Sequence, residues 1–159
     1  MEVKIEEAKK EKINSILSLM TKLSDYHKKI DPKYYKSGKE REESDKKRLI
    51  EHFSKKRKNQ KILVAKVKNK IVGFLIGGVE KSPPYCKENK IGVIHRAYIK
   101  ENFRRKGIGK LLVEELLKWF RKRKIKFVEV EVDSRNKIGI EAYKKYGFFE
   151  FHKRMRFDL

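Results

Sequence analysis

One cysteine, Cys86, stands among 159 residues, so no intramolecular disulfide and no cysteine-based metal cluster can form. His27, His52 and His152 show no ligand spacing with one another; they read as surface residues, and no metal site is expected. Three prolines and nine glycines are too few to build a Pro/Gly/Ser-rich linker, and no internal repeat divides the chain. The expectation is one domain over residues 1–159, a length ordinary for a single core. No apolar run approaches the ~18 residues of a membrane span, and Met1-Glu2-Val3-Lys4 does not open a signal peptide. A cytoplasmic protein with no membrane partner is expected. Acid is scarce beside base: 22 Asp+Glu against 44 Lys+Arg, a formal charge of 44 − 22 = +22.

What is present suffices for a core. Hydrophobic residues make up 38%, with nine Phe and seven Tyr, more than a disordered chain carries. The surplus of base favours polyanions, whether nucleic acid, membrane phosphate or a small phosphorylated cofactor. Lys simply solubilising the surface is the plainer alternative, and a Lys- and Glu-rich composition also suits a hot environment.

The apolar pattern marks the elements. Val3 and Ile5 alternate with charge as a short first strand. Ile13, Ile16, Leu17, Met20 and Leu23 predict a helix over roughly 10–25, which Asp31-Pro32 breaks. Leu49, Ile50 and Phe53 predict a second helix near 44–57. A hairpin follows, turning at Lys68-Asn69-Lys70, where Asn tolerates the left-handed conformation. Ile91 to Ile99 reads as a strand, and Ile108 to Arg123 as a helix carrying Ile108, Leu111, Leu112, Leu116, Trp119 and Phe120 on one face. Phe127 to Val132 is a strand, Asn136 to Tyr146 a short helix stopped at Gly147, and Phe148 to Leu159 one or two final strands. This is a mixed α/β order, an antiparallel hairpin region passing into a crossover unit.

The chemistry concentrates in Arg104-Arg105-Lys106-Gly107-Ile108-Gly109-Lys110, between a strand and a helix. Two glycines one residue apart let a ligand approach the backbone. The helix start exposes unpaired N–H groups and the positive end of its dipole to the same point. A phosphate or pyrophosphate is the natural guest. Local signal alone leaves the alternative of a glycine-eased loop and a solvated basic helix start. The segment is neither a P-loop nor a dinucleotide fingerprint, since the Gly-Lys-Ser/Thr ending and the third glycine are both missing.

In context the chain resembles the GNAT superfamily of acetyl-CoA-dependent N-acetyltransferases. Arg104-x-x-Gly107-x-Gly109 is similar to the family's Gln/Arg-x-x-Gly-x-Gly/Ala, and Ala97-Tyr98-Ile99 to its splayed fourth strand. Asn136 with Tyr143-Lys144-Lys145-Tyr146-Gly147-Phe148 resembles the family's Asn followed by Tyr-x-x-x-Gly-Phe. The resemblance implies a GNAT-like fold, a mostly antiparallel mixed sheet of six to seven strands with about four helices, and acetyl-CoA as cosubstrate. It implies that N–H groups from Arg105 through Lys106, Gly107, Ile108, Gly109 and Lys110 cradle the CoA pyrophosphate, with Arg104 adding charge. It implies that Ala97, Tyr98 and Ile99, with Asn136, hold the pantetheine arm, and that Tyr143 protonates the departing thiolate. A core tyrosine and a plain helix cap are the alternatives for Tyr143 and Asn136.

A base is needed because a protonated amine has no lone pair. Period-two alternation puts Val93, His95, Ala97 and Ile99 on one strand face, and the reference pKa of histidine near ~6.5 suits His95. Val93 stands where the family is commonly acidic, so a structural His95 remains open. Glu129 and Glu131 read as solvent-facing. Tyr26, Tyr34 and Tyr35, with His27, fall where the resemblance puts the acceptor, or else only pack the loop down. The acceptor is then a small-molecule amine or a peptide or protein amine, and a homodimer is an option. The rival class is a nucleic-acid-binding module built on Lys55-Lys56-Arg57-Lys58 and Arg121-Lys122-Arg123-Lys124. An acetyl-CoA-binding protein without turnover is the third reading.

Overall fold

A computed structural model describes all 159 residues. Its elements run β1 (Lys4–Glu7), α1 (Ile13–Ile30), α2 (Gly38–Ser54), β2 (Gln60–Val67), β3 (Lys70–Lys81), β4 (Lys90–Ile99), α3 (Ile108–Lys122), β5 (Val128–Val130) and α4 (Lys137–Lys145), with a 3-10 turn at Glu101–Phe103 before α3. The five strands form one sheet in sequence order, antiparallel from β1 to β4 and parallel between β4 and β5.

Central strands buried on both faces build two cores. Along β2, Ile62 and Val64 join Ile16, Met20, Leu49 and Phe74 on the side of α1 and α2. Leu63 and Ala65 join Leu75, Leu112, Leu116 and Phe120 on the side of α3. Alternation turns one strand into two layers of contact. The β2–β3 turn uses Lys68 and Asn69 at φ 47° and 60°, the two-residue mirror-image turn whose twist matches a hairpin.

The helices depart from expectation at their ends. α1 reaches Ile30, five residues further, and stops at Asp31-Pro32. α2 begins at Gly38 rather than near 44, because Ser37 and Glu40 close a reciprocal capping box that a charged stretch had concealed. Leu111, expected in the apolar stripe of α3, is exposed. His52 is buried and bonded to Gln60 at 2.9 Å, and His27 is half-buried; of the three histidines read as surface residues, only His152 is exposed.

The strand count is five, not six to seven, and residues 148–159 form no ladder. β5 spans only three residues, and Phe149, Phe151 and Phe157 remain exposed. Ordering those residues into a strand would gain no apolar burial to offset its entropy cost. Side-chain ties hold the segment instead: Arg154 to Glu131 at 3.0 Å and Arg156 to Asp31 at 2.9 Å.

Candidate active site

The site starts where the sheet splits. β4 and β5 pair only from Gly92–Val128 to Ile94–Val130. One residue later the β4 register against β3 shifts: Gly77 faces Ile94 and Ile76 faces Arg96, leaving His95 as an extra residue. Such a bulge bends its strand and redirects side chains. Ala97, Tyr98 and Ile99 therefore keep β3 on one edge and have no strand on the other.

The bulge overturns the shared face expected for Val93, His95, Ala97 and Ile99. Ile94, Ala97 and Ile99 all pack toward α3. Gly77 abuts Leu116 of α3, so its neighbour Gly78 faces the other way, and His95 Nε2 lies beside Gly78. His95 is exposed there, with Nε2 3.1 Å from the Glu80 carboxylate. Arg96 and Tyr98 also point to the α1 side. The mostly buried Arg96 guanidinium meets Asp45 at 2.9 Å, Ser24 Oγ at 2.9 Å and the Met20 carbonyl at 3.1 Å, riveting α1 and α2 to the bulge.

Between the 3-10 turn and α3, the chain takes left-handed conformations at Arg105 (φ 60°) and Gly107 (φ 78°). This is affordable for glycine and strained for arginine. None of the six backbone N–H groups from Arg105 to Lys110 donates within the protein; the first bond of α3 runs from Leu111 N to Gly107 O at 3.1 Å. A Cβ on Gly107 would meet nothing within 4 Å, so the space over the loop is open. Donors, open space and the dipole end coincide, a geometry that suits an anion.

The side chains around it divide. Arg105, Lys106 and Lys110 are exposed, with Lys106 Nζ 5.5 Å from the Phe103 ring. Arg104 is a brace: its Nε donates to the Ile99 carbonyl at 3.0 Å and its guanidinium lies over Tyr98 and Tyr26, at 5.2 and 6.0 Å. Ile108 is buried in the α3 core. Gly109 is needed for packing, since a Cβ there would collide with the Tyr146 hydroxyl.

α4 brings the remaining groups. Asn136 Oδ1 caps it by accepting from Gly139 N at 3.0 Å, and also accepts from the Tyr26 hydroxyl at 3.0 Å. The cap thus joins α1 to α4 across the split. Tyr143 packs edge-on against Tyr146 and Phe148, with ring centroids 5.9 and 5.4 Å away. Burial, then the neighbouring Tyr146 phenol, push the Tyr143 hydroxyl above its ordinary pKa. Its hydroxyl forms no hydrogen bond within the protein, so the proton is free for an outside acceptor.

On the α1 side, Tyr34 and Tyr35 meet edge-on at 5.0 Å, and His27 lies 5.4 Å from Tyr35. Burial holds His27 below its usual pKa, and nearby Arg96 adds to this. Tyr35 donates to Asp133 at 2.8 Å; burial and that carboxylate push its pKa up to about 12. Asp133 is held well below the usual carboxylate range by Arg135, which also reaches Asp31 at 3.1 Å. Arg156 completes the cluster, on Asp31 and over the Tyr34 ring at 4.9 Å. Tyr26 and Tyr98 line an open cleft of about 400 Å³ between α1 and the 3-10 turn, beside Lys22, Asp25, Lys29 and Phe103.

Sequence reading missed Tyr146, Asp133, Arg135 and Arg96. Tyr146 follows Tyr143 by three residues, a spacing that shares a helix face. Nothing local distinguishes the other three in a chain so rich in charge.

Comparison with known proteins follows the same outline. The Acetyltransferase (GNAT) family matches residues 20–148. An uncharacterized N-acetyltransferase of Methanocaldococcus jannaschii is 33% identical over 101 residues, which are 60% of this chain and 42% of that protein. The chain thus spans under half of that relative's length. Among solved structures, a protein of Bacillus halodurans superposes with a TM-score of 0.88 at 19% identity, covering 98% of this chain and 99% of the other. An aminoglycoside N-acetyltransferase in complex with the bisubstrate analogue CoA-S-monomethyl-acetylneamine gives 0.77 at 13% identity, covering 100% and 99%.

Proposed function

The chain belongs to the Acetyltransferase (GNAT) family, and on that premise we propose that it transfers acetyl from acetyl-CoA to a primary amine of a small molecule, peptide or protein. One observation carries the reading: six consecutive N–H groups without a protein acceptor surround open space at the start of α3. They fit a diphosphate, because charge-assisted hydrogen bonds to an anion are roughly twice as strong as neutral ones.

Bound acetyl-CoA supplies an activated acetyl thioester. The main chain from Arg105 to Lys110 holds its diphosphate. The free edge of β4 at Ala97–Ile99, opposite Asn136, holds the pantetheine arm. Tyr143 donates its phenolic proton to the departing sulfur; a raised pKa keeps that proton in place at neutral pH. His95, oriented by Glu80, takes the proton of the incoming ammonium, directly or through water. Tyr26, Tyr34 and Tyr35 contact the acceptor, the aminoglycoside N-acetyltransferase neighbour being the precedent for a small-molecule amine.

The test is calorimetry with CoA followed by thiol release across amines, amino acids and N-terminal peptides. Micromolar CoA binding and turnover with at least one acceptor are expected. CoA binding without turnover in the whole panel, and no change on Tyr143→Phe, would leave a binding protein only. No CoA binding would sink the cradle assignment itself.

A further inference from the structure

The fold joins two basic runs that are far apart in sequence. α2 ends at Ser54 and α3 at Lys122, and Arg123 Nη2 donates to the Lys58 carbonyl at 2.7 Å. Lys55-Lys56-Arg57-Lys58 and Arg121-Lys122-Arg123-Lys124 therefore form one surface. It borders a cleft of about 350 Å³ lined by Lys56, Lys58, Lys61, Phe53, Trp119 and Arg123. α3 has 15 residues, so this cleft lies about 22 Å from the anion cradle at the other end of that helix.

Two facts argue that more than solubility is built here. Of the eight cations in the two runs, Arg57 pairs with Glu51 and Arg123 bonds a carbonyl. The other six have no carboxylate within ion-pair reach, and Glu7, the acid beside the cleft, is taken by Lys61. Cations do complement helix C-termini, but two such ends present only about one negative charge together, so a large positive excess remains. Second, the cleft carries aromatic side chains among its cations. Trp119 of α3 is half-buried with Arg123 4.4 Å from its ring, and Phe53 of α2 lines the same cleft.

We propose that this cleft binds single-stranded nucleic acid, its lysines tracking phosphates while a base stacks on the Trp119–Arg123 pair. A basic groove with aromatic side chains is the general design for that ligand. An acidic protein would use the charge but leave the aromatic side chains without a role. The site is independent of acetyl transfer.

Trp119 is the chain's single tryptophan, so its emission reports on this cleft. The probe is a labelled single-stranded RNA of about 12 nucleotides, read by anisotropy and Trp119 emission, with a polyglutamate peptide of equal charge as competitor. Expected are saturable binding with a matching emission change, and an affinity loss on the order of 10²-fold between ~50 and ~200 mM salt. Lys56→Glu with Lys58→Glu, and separately Lys122→Glu with Lys124→Glu, should each weaken binding about tenfold or more. Lys68→Glu with Lys70→Glu, an equal charge change at the far hairpin, should cost less than about threefold. A control pair that loses as much, only one active run, or flat Trp119 emission overturns the proposal. Tighter binding of polyglutamate overturns it in favour of an acidic protein partner.

Discussion

The Tyr146 hydroxyl occupies the position that a methyl group on Gly109 would need, with Ile99 Cδ1 closing the other side at 3.2 Å. The second glycine of the loop is therefore fixed by a contact between α3 and α4, not by the ligand space itself. Gly109→Ala should cost about 1–3 kcal/mol, the usual cost of overpacking, and should weaken CoA binding by displacing α4. Adding Tyr146→Phe removes the colliding oxygen and should restore most of the stability. Thermal unfolding of the two single variants and the double variant checks this; an undiminished loss in the double variant would contradict the packing account.

Gly107 makes the opposite case. Nothing crowds it, and only its φ of 78° disfavours a side chain. Gly107→Ala should cost about 1–2 kcal/mol of backbone strain, lowering Tm by a few degrees, yet the new methyl stands in the cradle. CoA affinity should fall about tenfold or more by calorimetry while the fold persists.

Tyr143 and His95 should separate by kinetics. Tyr143→Phe should lower kcat by about 10²–10⁴ with little change in acetyl-CoA KM. The phenol donates only while protonated, and its pKa lies above the ordinary ~10. Tyr143 should therefore produce no alkaline decline below about pH 10. His95→Ala should lower kcat/KM while CoA affinity by calorimetry stays unchanged, as expected of the proposed base. A wild-type alkaline limb near pH 8 that vanishes in Tyr143→Phe would refute the assigned pKa direction.

The Arg96–Asp45 pair is a stability prediction. Asp45 is 1% exposed and its carboxylate is 2.9 Å from the guanidinium. Asp45→Ala leaves a mostly buried cation without its partner and should cost about 3–5 kcal/mol. Replacing the pair with Arg96→Met and Asp45→Leu should recover much of that. Denaturant unfolding of the wild type and the two variants compares these costs directly.

Asp133 links the Tyr34–Tyr35 cluster to acid stability. Its folded pKa lies below its unfolded value near ~3.9. The stabilisation is thus complete above that value and is lost as pH falls toward the folded pKa. Asp133→Asn should flatten the decline in stability below about pH 4 and weaken the hydrogen bond from Tyr35, whose acceptor loses its charge. Acid titration followed by tyrosine absorbance distinguishes the two effects.

Much of the fold was legible because periodicity reports burial directly. α1 and α3 follow from the spacing of Ile16, Met20, Leu112 and Leu116, the hairpin from its Lys68-Asn69-Lys70 turn, and α4 from Asn136 and the stop at Gly147. The concealed start of α2 was encoded in Ser37 and Glu40, but a capping box is two residues in a charged run and carries less signal than a stripe. The one or two final strands expected over Phe148 to Leu159 do not form, since apolar residues in a segment do not by themselves supply a partner strand.

Local chemistry by itself determined the open row of N–H donors at the start of α3. Glycine permits Gly107's backbone, and a helix start cannot bond its own first N–H groups, wherever that helix sits. Tertiary structure alone decided which way His95 points, what Gly109 is for and which cation meets which acid. A bulge, a contact between α3 and α4, and the choice among 44 bases for 22 acids all depend on residues distant in the chain, and their distances exist only once the sheet has formed.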